Sequence, residues 1–286
     1  MNMNLIERKL PINEDSIKFK DWTISYAKSH ILKSVCINEG SQIAKKLDNS
    51  NPPTSSDDNP SGSHCCDVCM YYQILQLPSL PEMVFFKNSL RITHSSGASL
   101  EFNAMDALKH VKDIDNSLKV DCAEEWQVTR PGALLEEKFK PFDWTFSSDY
   151  QGTLSGFKME ESETGINFSK LMEREPIMFS SEVALYEDEL HDHGVSTCNV
   201  KVRTMPSGFY VLLRFFLRVD NVLIRMNDSR FHFEVENNYI MKEFTSRECD
   251  IEYLKTKKVP LSLCTVPEVI EKHLPVKTKK CYKLIF

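Results

Sequence analysis

The segment EDELHDHG, residues 187–194, contains residue types that hold metal ions or transfer protons. Four carboxylates and two histidines fall within eight residues. If one β-strand continued through the segment, Glu187, Glu189, His191 and His193 would share one side, because side chains alternate along a strand. Two histidines at positions i and i+2 beside a carboxylate could ligate zinc or another divalent ion. These residues alone indicate a metal-binding protein or a metal-dependent hydrolase.

The same segment also has a purely structural interpretation. All its candidate ligands come from one short stretch, and no H-E-x-x-H motif or second histidine cluster completes a metal shell. Gly194 permits a turn, so the acidic arm is expected to fold back beside Lys201 and Arg203, whose charges would balance it. We therefore favour a charged hairpin tip and expect neither a metal ion nor a cofactor, with the metal hydrolase kept as the alternative.

A second metal-like stretch is HCCDVC, residues 64–69, in which Cys66 and Cys69 form a C-x-x-C pair. This pair is half of a zinc knuckle, since the next cysteine is Cys122 and no second pair follows at knuckle spacing. A redox C-x-x-C would follow a strand, whereas a polar stretch precedes this one. We predict plain surface thiols at Cys65, Cys66 and Cys69.

Motifs for covalent catalysis or phosphate binding are missing from the sequence. It contains no G-x-S-x-G, no P-loop and no glycine-rich fingerprint, and has only nine glycines to build such loops. The chemistry readable from the residues therefore argues against an enzyme.

Composition limits the partners and the compartment. The 35 basic and 41 acidic residues give a net charge of −6, so no bulk positive field favours nucleic acid or anionic lipid. The opening residues include charges and a proline, and Arg214 and Arg218 interrupt the most apolar run, so we expect no signal peptide and no membrane span. Nine cysteines, an odd number, indicate reduced thiols in the cytoplasm, with the nucleus as a second location.

The chain is expected to form a single domain over residues 1–286. Residues 47–63 are rich in Asn, Ser, Asp and Pro and cannot offset their ordering entropy by burial, so we predict a disordered insertion over residues 47–70. The remainder alternates mostly as strands. The predicted fold class is α+β, mainly antiparallel β: a layered β-sheet domain with a few short helices, including one over 102–111 capped by Asn103 and one over 167–174.

The run FYVLLRFFLRVDNVLIRMND, residues 209–228, predicts a β-hairpin. Asp220 and Asn221 tolerate the positive φ of a two-residue turn. In that register one apolar side belongs to the core and pairs Val219 with Val222, Leu217 with Ile224 and Phe215 with Met226. The other side mixes apolar residues with Arg214, Arg218 and Arg225. This mixture fits a partner surface, a site for phosphopeptides, or arginines lying at a sheet edge.

Several long strings resemble the TIPRL-like family of TOR signalling pathway regulators, in order from about residue 22 to residue 286. They are LPSLPEM (77–83), EFNAMDAL (101–108), CAEEWQ (122–127), DWTFSSDYQGTL (143–154), LYEDELHDHGVS (185–196), MPSGFYVLLRFFLRVDNVLIRMNDSR (205–230), FTSRE (244–248) and the closing KLIF. The family has only a short link before LPSLPEM, so the inserted cysteines do not inherit its function. Residues 126–140 also diverge from the family.

The resemblance implies a non-enzymatic regulator that binds catalytic subunits of type 2A Ser/Thr phosphatases and inhibits them or holds them inactive in TOR signalling. It also implies a single mainly antiparallel domain, monomeric when alone, with a groove that receives phosphatase segments. The residues it assigns to partner binding are Asp106, Arg225, Met226, Asn227 and Asp228, together with His191, Asp192 and His193. Met226 is expected to shape the groove from beneath. Asp228 is expected to contact the partner, so that Asp228→Leu would leave stability nearly unchanged.

Overall fold

The computed structural model describes residues 12–32, 67–77, 79–111, 119–121, 139–141 and 145–286, and strands dominate them. The strands are β1 Asn13–Phe19, β2 Trp22–Lys28, β3 Met83–Val84, β4 Ser89–His94, β5 Ser99–Asn103, β6 Lys119–Asp121, β7 Phe139–Pro141, β8 Thr153–Ser155, β9 Lys158–Glu161, β10 Phe179–Asp188, β11 Gly194–Met205, β12 Gly208–Val219, β13 Leu223–Glu234, β14 Tyr239–Asp250 and β15 Val276–Ile285. The α-helices are α1 Asp67–Leu75, α2 Ala104–Lys109, α3 Phe168–Leu171, α4 Ile251–Thr256 and α5 Pro267–Ile270. Short 3-10 helices cover Leu261–Thr265 and Glu271–His273.

Two antiparallel sheets form the body of the protein. Sheet A has five strands in the order β1-β2-β4-β5-β8, and sheet B has eight in the order β3-β10-β11-β12-β13-β14-β15-β9. Strands β6 and β7 form a separate pair. The predicted fold class, mainly antiparallel β with a few short helices, is confirmed.

The main core lies between the inner faces of the two sheets. Alternate residues of β12, including Phe209, Val211 and Leu213, are buried in it beside residues of sheet A. Trp22 of sheet A meets the edge of Phe209 with ring centroids 5.3 Å apart. Because removing apolar area from water is the largest favourable term in folding, this shared layer fixes sheet A onto sheet B.

A second apolar cluster covers part of the outer face of sheet B. Phe216, Ile224 and Met226 pack there against Ile251 and Leu254 of α4, with further buried residues from the C-terminal helices. Strands β12 and β13 are thus largely buried on both faces, and β12 reads as a nearly continuous apolar run rather than as an alternating pattern.

The β12–β13 hairpin has a different register from the predicted one. Val219 pairs with Leu223, so the loop contains three residues, 220–222, with Asn221 at φ 59°. Phe216 therefore faces Met226, and Arg214 faces Asp228. A shift of one residue turns every side chain of a strand to the opposite face, so the predicted inner position of Met226 is wrong.

The helix predictions agree with the structure in type and in part in length. Asn103 caps α2 as predicted, accepting a hydrogen bond from the Asp106 amide at 2.8 Å. The second predicted helix is the short α3, capped by Asn167. Residues 67–70 of the predicted insertion are helical, and Cys69 is buried in α1 rather than lying on the surface. Residues 47–66, with Cys65 and Cys66, lie outside the described residues.

No helix in the described part of the chain is both long and apolar enough to cross a membrane.

Candidate partner-binding site

A buried charge network occupies the outer face of the β12–β13 hairpin. Arg214 donates from Nε and Nη2 to the two carboxylate oxygens of Asp228, both at 2.7 Å. Arg230 lies two residues beyond Asp228 on the same face and donates from Nη2 to Asp228 Oδ2 at 2.6 Å. Only 1% of Asp228 is exposed, so this carboxylate is shared by two guanidinium groups away from water.

Glu271 connects the network to the C-terminal helices. Its Oε2 accepts from Arg214 Nη2 at 2.7 Å and its Oε1 accepts from Arg230 Nη2 at 2.6 Å. Burial by itself would lower the pKa of Arg214, but the hydrogen bond and charge of Asp228, and then Glu271, raise it well above its usual value. Both arginines stay charged, and their pairing with Glu271 holds the C-terminal helices against sheet B.

A cleft of about 490 Å³ opens beside this network. Its walls combine apolar side chains with charged ones. The lining residues are Phe168, Tyr210, Leu212, Arg214, Arg230, Glu243, Thr245, Arg247, Glu268, Glu271, Val276 and Lys279. A concave surface with apolar walls and a few convergent polar groups is typical of a binding site.

Most charges in the cleft already have partners within the chain. Glu243 accepts from the Ile166 amide at 3.3 Å and pairs with Lys279 Nζ at 3.2 Å. Burial raises the pKa of Tyr210, which is half-buried, to about 12, so its hydroxyl remains neutral. Arg247 donates from Nη1 to the Leu274 carbonyl at 3.2 Å. The cleft is therefore held in shape by its own ion pairs.

Two of the predicted contact residues lie beneath this surface. Met226 is fully buried in the second apolar cluster, and Asp228 is the centre of the charge network. The expectation that Asp228 can be replaced with little effect on stability conflicts with this burial, because a buried charge that loses its partner is strongly destabilising.

Arg225 and Asn227 point to the opposite, inner face of β13. Arg225 donates from Nη1 to Ser147 Oγ at 3.1 Å and also pairs with Glu248. Asn227 donates from Nδ2 to the Ser148 carbonyl at 3.0 Å. Both side chains hold the segment 145–150 against sheet B, so the structure divides residues 225–228 between two faces.

Asp106 lies on α2, which packs into the main core rather than beside the cleft. Its carboxylate accepts from Thr153 Oγ1 at 2.8 Å, from Asn103 Nδ2 at 3.0 Å and from Lys109 Nζ at 3.2 Å. Burial acts to raise the pKa of Asp106, but these hydrogen bonds outweigh it and lower the pKa. Asp106 is a partly exposed anion, and the structure does not bring it together with Asp228.

The EDELHDHG segment is not one continuous strand. Strand β10 ends at Asp188, and Leu190, His191 and Asp192 then adopt left-handed φ values of 52°, 54° and 66°. Alternation therefore stops before the histidines, and the predicted common side for four ligands is wrong. Three consecutive non-glycine residues in this region are strained, at about 1–2 kcal/mol each.

The Asp188 carboxylate supports this strained turn. It accepts from the Leu190 amide at 2.8 Å and from the Glu82 amide at 3.0 Å. Burial raises the pKa of Asp188 to about 6 despite these two hydrogen bonds. The position therefore carries a carboxyl group that titrates near neutrality.

Neither the predicted charge balance nor the alternative metal site of the EDELHDHG segment is found in the described residues. Lys201 pairs with Glu182 at 3.3 Å and Glu268 at 3.2 Å rather than with the acidic turn, so that part of the prediction is wrong. Among the residues that the structure describes, no group of three or more His, Cys, Asp or Glu side chains is arranged to hold a metal ion. The metal-dependent hydrolase therefore gains no support from the described geometry.

Sequence reasoning missed Arg230, Arg247, Glu271 and Phe168. The link from Asp228 to Arg230 was readable, because residues two apart share a face of a strand. Glu271 gave no such signal, since it lies 41 residues from Arg230 in the sequence and reaches it only through the fold.

The chain is similar in sequence to a known protein family and to several of its members. The sequence model of the TIP41-like family matches residues 83–255. A human TIP41-like protein is 45% identical over 273 residues, which cover 94% of this chain and 88% of the relative. The type 2A phosphatase activator TIP41 of Saccharomyces cerevisiae is 32% identical over 85% of this chain and 65% of its own length. The Schizosaccharomyces pombe protein of the same description is 27% identical over 96% of this chain and 99% of its own length.

Proposed function

Because the chain belongs to the TIP41-like family, as the sequence resemblance indicated, we propose that it regulates type 2A Ser/Thr phosphatases by binding their catalytic subunits. The observation that carries this proposal is the similarity to two fungal proteins described as type 2A phosphatase activators, which extends over most of this chain. The proposed role is non-enzymatic: the chain acts by contact, within TOR signalling, and works as a monomer when alone.

The cleft is the proposed docking groove for a phosphatase segment. Phe168 and Val276 line it and are 43% and 47% exposed, so two apolar side chains are available to a partner without rearrangement. Such exposed apolar groups at a concave site are characteristic of protein interfaces.

The residues drawn from the resemblance have different proposed roles. Met226 and Asp228 support the groove from within, and Arg225 and Asn227 position residues 145–150. Asp106 and the turn residues His191, Asp192 and His193 remain proposed contacts. Asp106 and Asp192 offer exposed or partly exposed carboxylates that a cationic patch on the partner would meet.

A pull-down with a purified type 2A catalytic subunit tests the proposal. The wild-type protein should retain the subunit, and Phe168→Glu and Val276→Glu should each reduce capture at least about fivefold, because each places a charge against an apolar contact. Met159→Glu is the matched control, since Met159 on β9 is at least as exposed, at 54%, and does not line the cleft. Wild-type protein that fails to retain the subunit would refute the proposal; equal capture by all variants would refute the cleft as the groove.

The sign of regulation is a separate measurement. The resemblance leads us to propose that the protein inhibits the phosphatase catalytic subunit or stores it in an inactive form. The two fungal relatives, in contrast, are described as phosphatase activators. Phosphatase activity measured with increasing amounts of this protein decides between the two. We also propose a cytoplasmic location, with the nucleus as a second one, which imaging of a fluorescent fusion tests.

A further inference from the structure

Arg214 has one donor that its ion pairs do not use. Its Nε and Nη2 are bound to Asp228 and Glu271, but Nη1 forms no hydrogen bond with any residue that the structure describes. The side chain is only 5% exposed and lines the cleft. A buried guanidinium N–H without an acceptor is costly, and it is the kind of group that a bound anion satisfies.

A second unused donor lies in the same cleft. Arg247 Nε also lacks an acceptor among the described residues, although Nη1 of the same side chain binds the Leu274 carbonyl. Two arginines of one cleft therefore each keep one nitrogen whose N–H groups have no acceptor among the described residues. Planar guanidinium groups suit anions that present several oxygens, phosphate above all.

One carboxylate of the cleft, Glu268, can be displaced from Arg214 by a bound anion. Glu271 is engaged by Arg214 and Arg230, and Glu243 by Lys279. Glu268 is 58% exposed, and its Oε1 lies 3.9 Å from Arg214 Nη1, beyond hydrogen-bonding distance. Since Nη1 is closed off from solvent, a ligand reaches it when the exposed Glu268 side chain, which also pairs with Lys201 at 3.2 Å, moves aside.

We propose that the cleft binds a phosphorylated side chain of a protein segment, with the phosphate taking the position beside Arg214 Nη1 and Arg247 Nε. A ligand carboxylate beside Arg214 would carry the same single charge as the Glu268 side chain that it displaces. A phosphate carries about −1.5 to −2 charge, so the two arginines attract it more strongly than they attract Glu268. The neighbouring apolar wall of Phe168, Leu212 and Val276 accommodates an apolar group next to the phosphate, which distinguishes a peptide from free phosphate.

Binding of three small probes to the purified full chain, measured by calorimetry, tests the chemistry. The probes are phenyl phosphate, phenylacetate and inorganic phosphate, which separate the dianion from the apolar ring. Phenyl phosphate should bind at least tenfold more tightly than either of the others. No measurable binding of phenyl phosphate, or equal binding of phenylacetate, would overturn the proposal and indicate at most a carboxylate site.

Two substitutions locate the site. Glu268→Gln should strengthen phenyl phosphate binding severalfold, because it removes the competing charge, while Glu160→Gln on β9 should change nothing. Arg247→Met should weaken binding at least fivefold, and Arg91→Met on sheet A is its matched control. If Arg247→Met does not fold, the Glu268 comparison decides alone, since that side chain is exposed; unchanged affinity in Glu268→Gln contradicts the proposal. These measurements use no phosphatase, so their failure leaves the proposed function to its own test.

Discussion

Replacing Asp228 by asparagine tests whether the buried charge network stabilises the fold. The substitution keeps the shape of the side chain and removes its charge, so it creates no cavity. Asp228 accepts two hydrogen bonds from Arg214 and one from Arg230, at 2.6–2.7 Å. An asparagine has one acceptor oxygen, and its NH₂ group would face a guanidinium donor.

The expected cost is large because the arginines stay buried. Removing one partner of a buried ion pair costs about 3–5 kcal/mol. For a chain of this size each kcal/mol lowers the melting temperature by about 2–4 °C, so Asp228→Asn should lower it by roughly 10 °C. The sequence-based expectation for Asp228→Leu was a nearly unchanged melting temperature, so the two interpretations differ clearly.

Chemical and thermal unfolding provide the measurement, with Asp220→Asn as the control. Asp220 pairs with Arg218 Nε at 2.7 Å but is exposed in the hairpin loop, so its loss should cost less than about 1 kcal/mol. The double variant Arg214→Met/Asp228→Leu should be less destabilised than the sum of its two single variants, since it removes both members of one pair. An Asp228→Asn protein as stable as Asp220→Asn would refute the network as a source of stability.

Two further predictions concern the turn after β10 and the strand that follows. The folded pKa of Asp188, about 6, lies above its usual 3.8, so its stabilising contribution is complete below pH 3.8 and is lost as pH rises through 6. Between pH 4 and pH 8 the wild type should therefore lose about 2 kcal/mol of unfolding free energy that Asp188→Asn keeps. Denaturant titrations in which both proteins show the same pH dependence would contradict this. At Gly194 a Cβ atom would lie 1.9 Å from the Arg218 carbonyl oxygen, so Gly194→Ala should cost at least about 2 kcal/mol. Gly97→Ala, with φ +94° and no atom within 4 Å, should cost only about 1 kcal/mol of backbone strain, and equal melting temperatures for the two would exclude the steric explanation.

The sequence predicts the class of this fold well because its strands are long and antiparallel. The apolar runs, the Asn103 cap and the short α3 were all readable locally. The register of β12–β13 was not, since Phe215, Phe216 and Leu217 are all buried and conceal the alternation that would separate the two faces. Asp220 and Asn221 both tolerate positive φ, so the sequence fits a two-residue turn as well as the observed three-residue loop, in which Asn221 takes a positive φ and Asp220 does not.

That one-residue difference determines what residues 225–228 do. In the observed register Met226 and Asp228 support the outer face under the cleft, while Arg225 and Asn227 hold residues 145–150 on the inner face. Substitutions in this run would each disturb packing, an ion pair or a hydrogen bond, so loss of partner capture would follow from loss of structure as readily as from loss of contact. The proposed groove is best tested by variants at exposed side chains of the cleft, such as Phe168 and Glu268, because a change there leaves the core beneath intact.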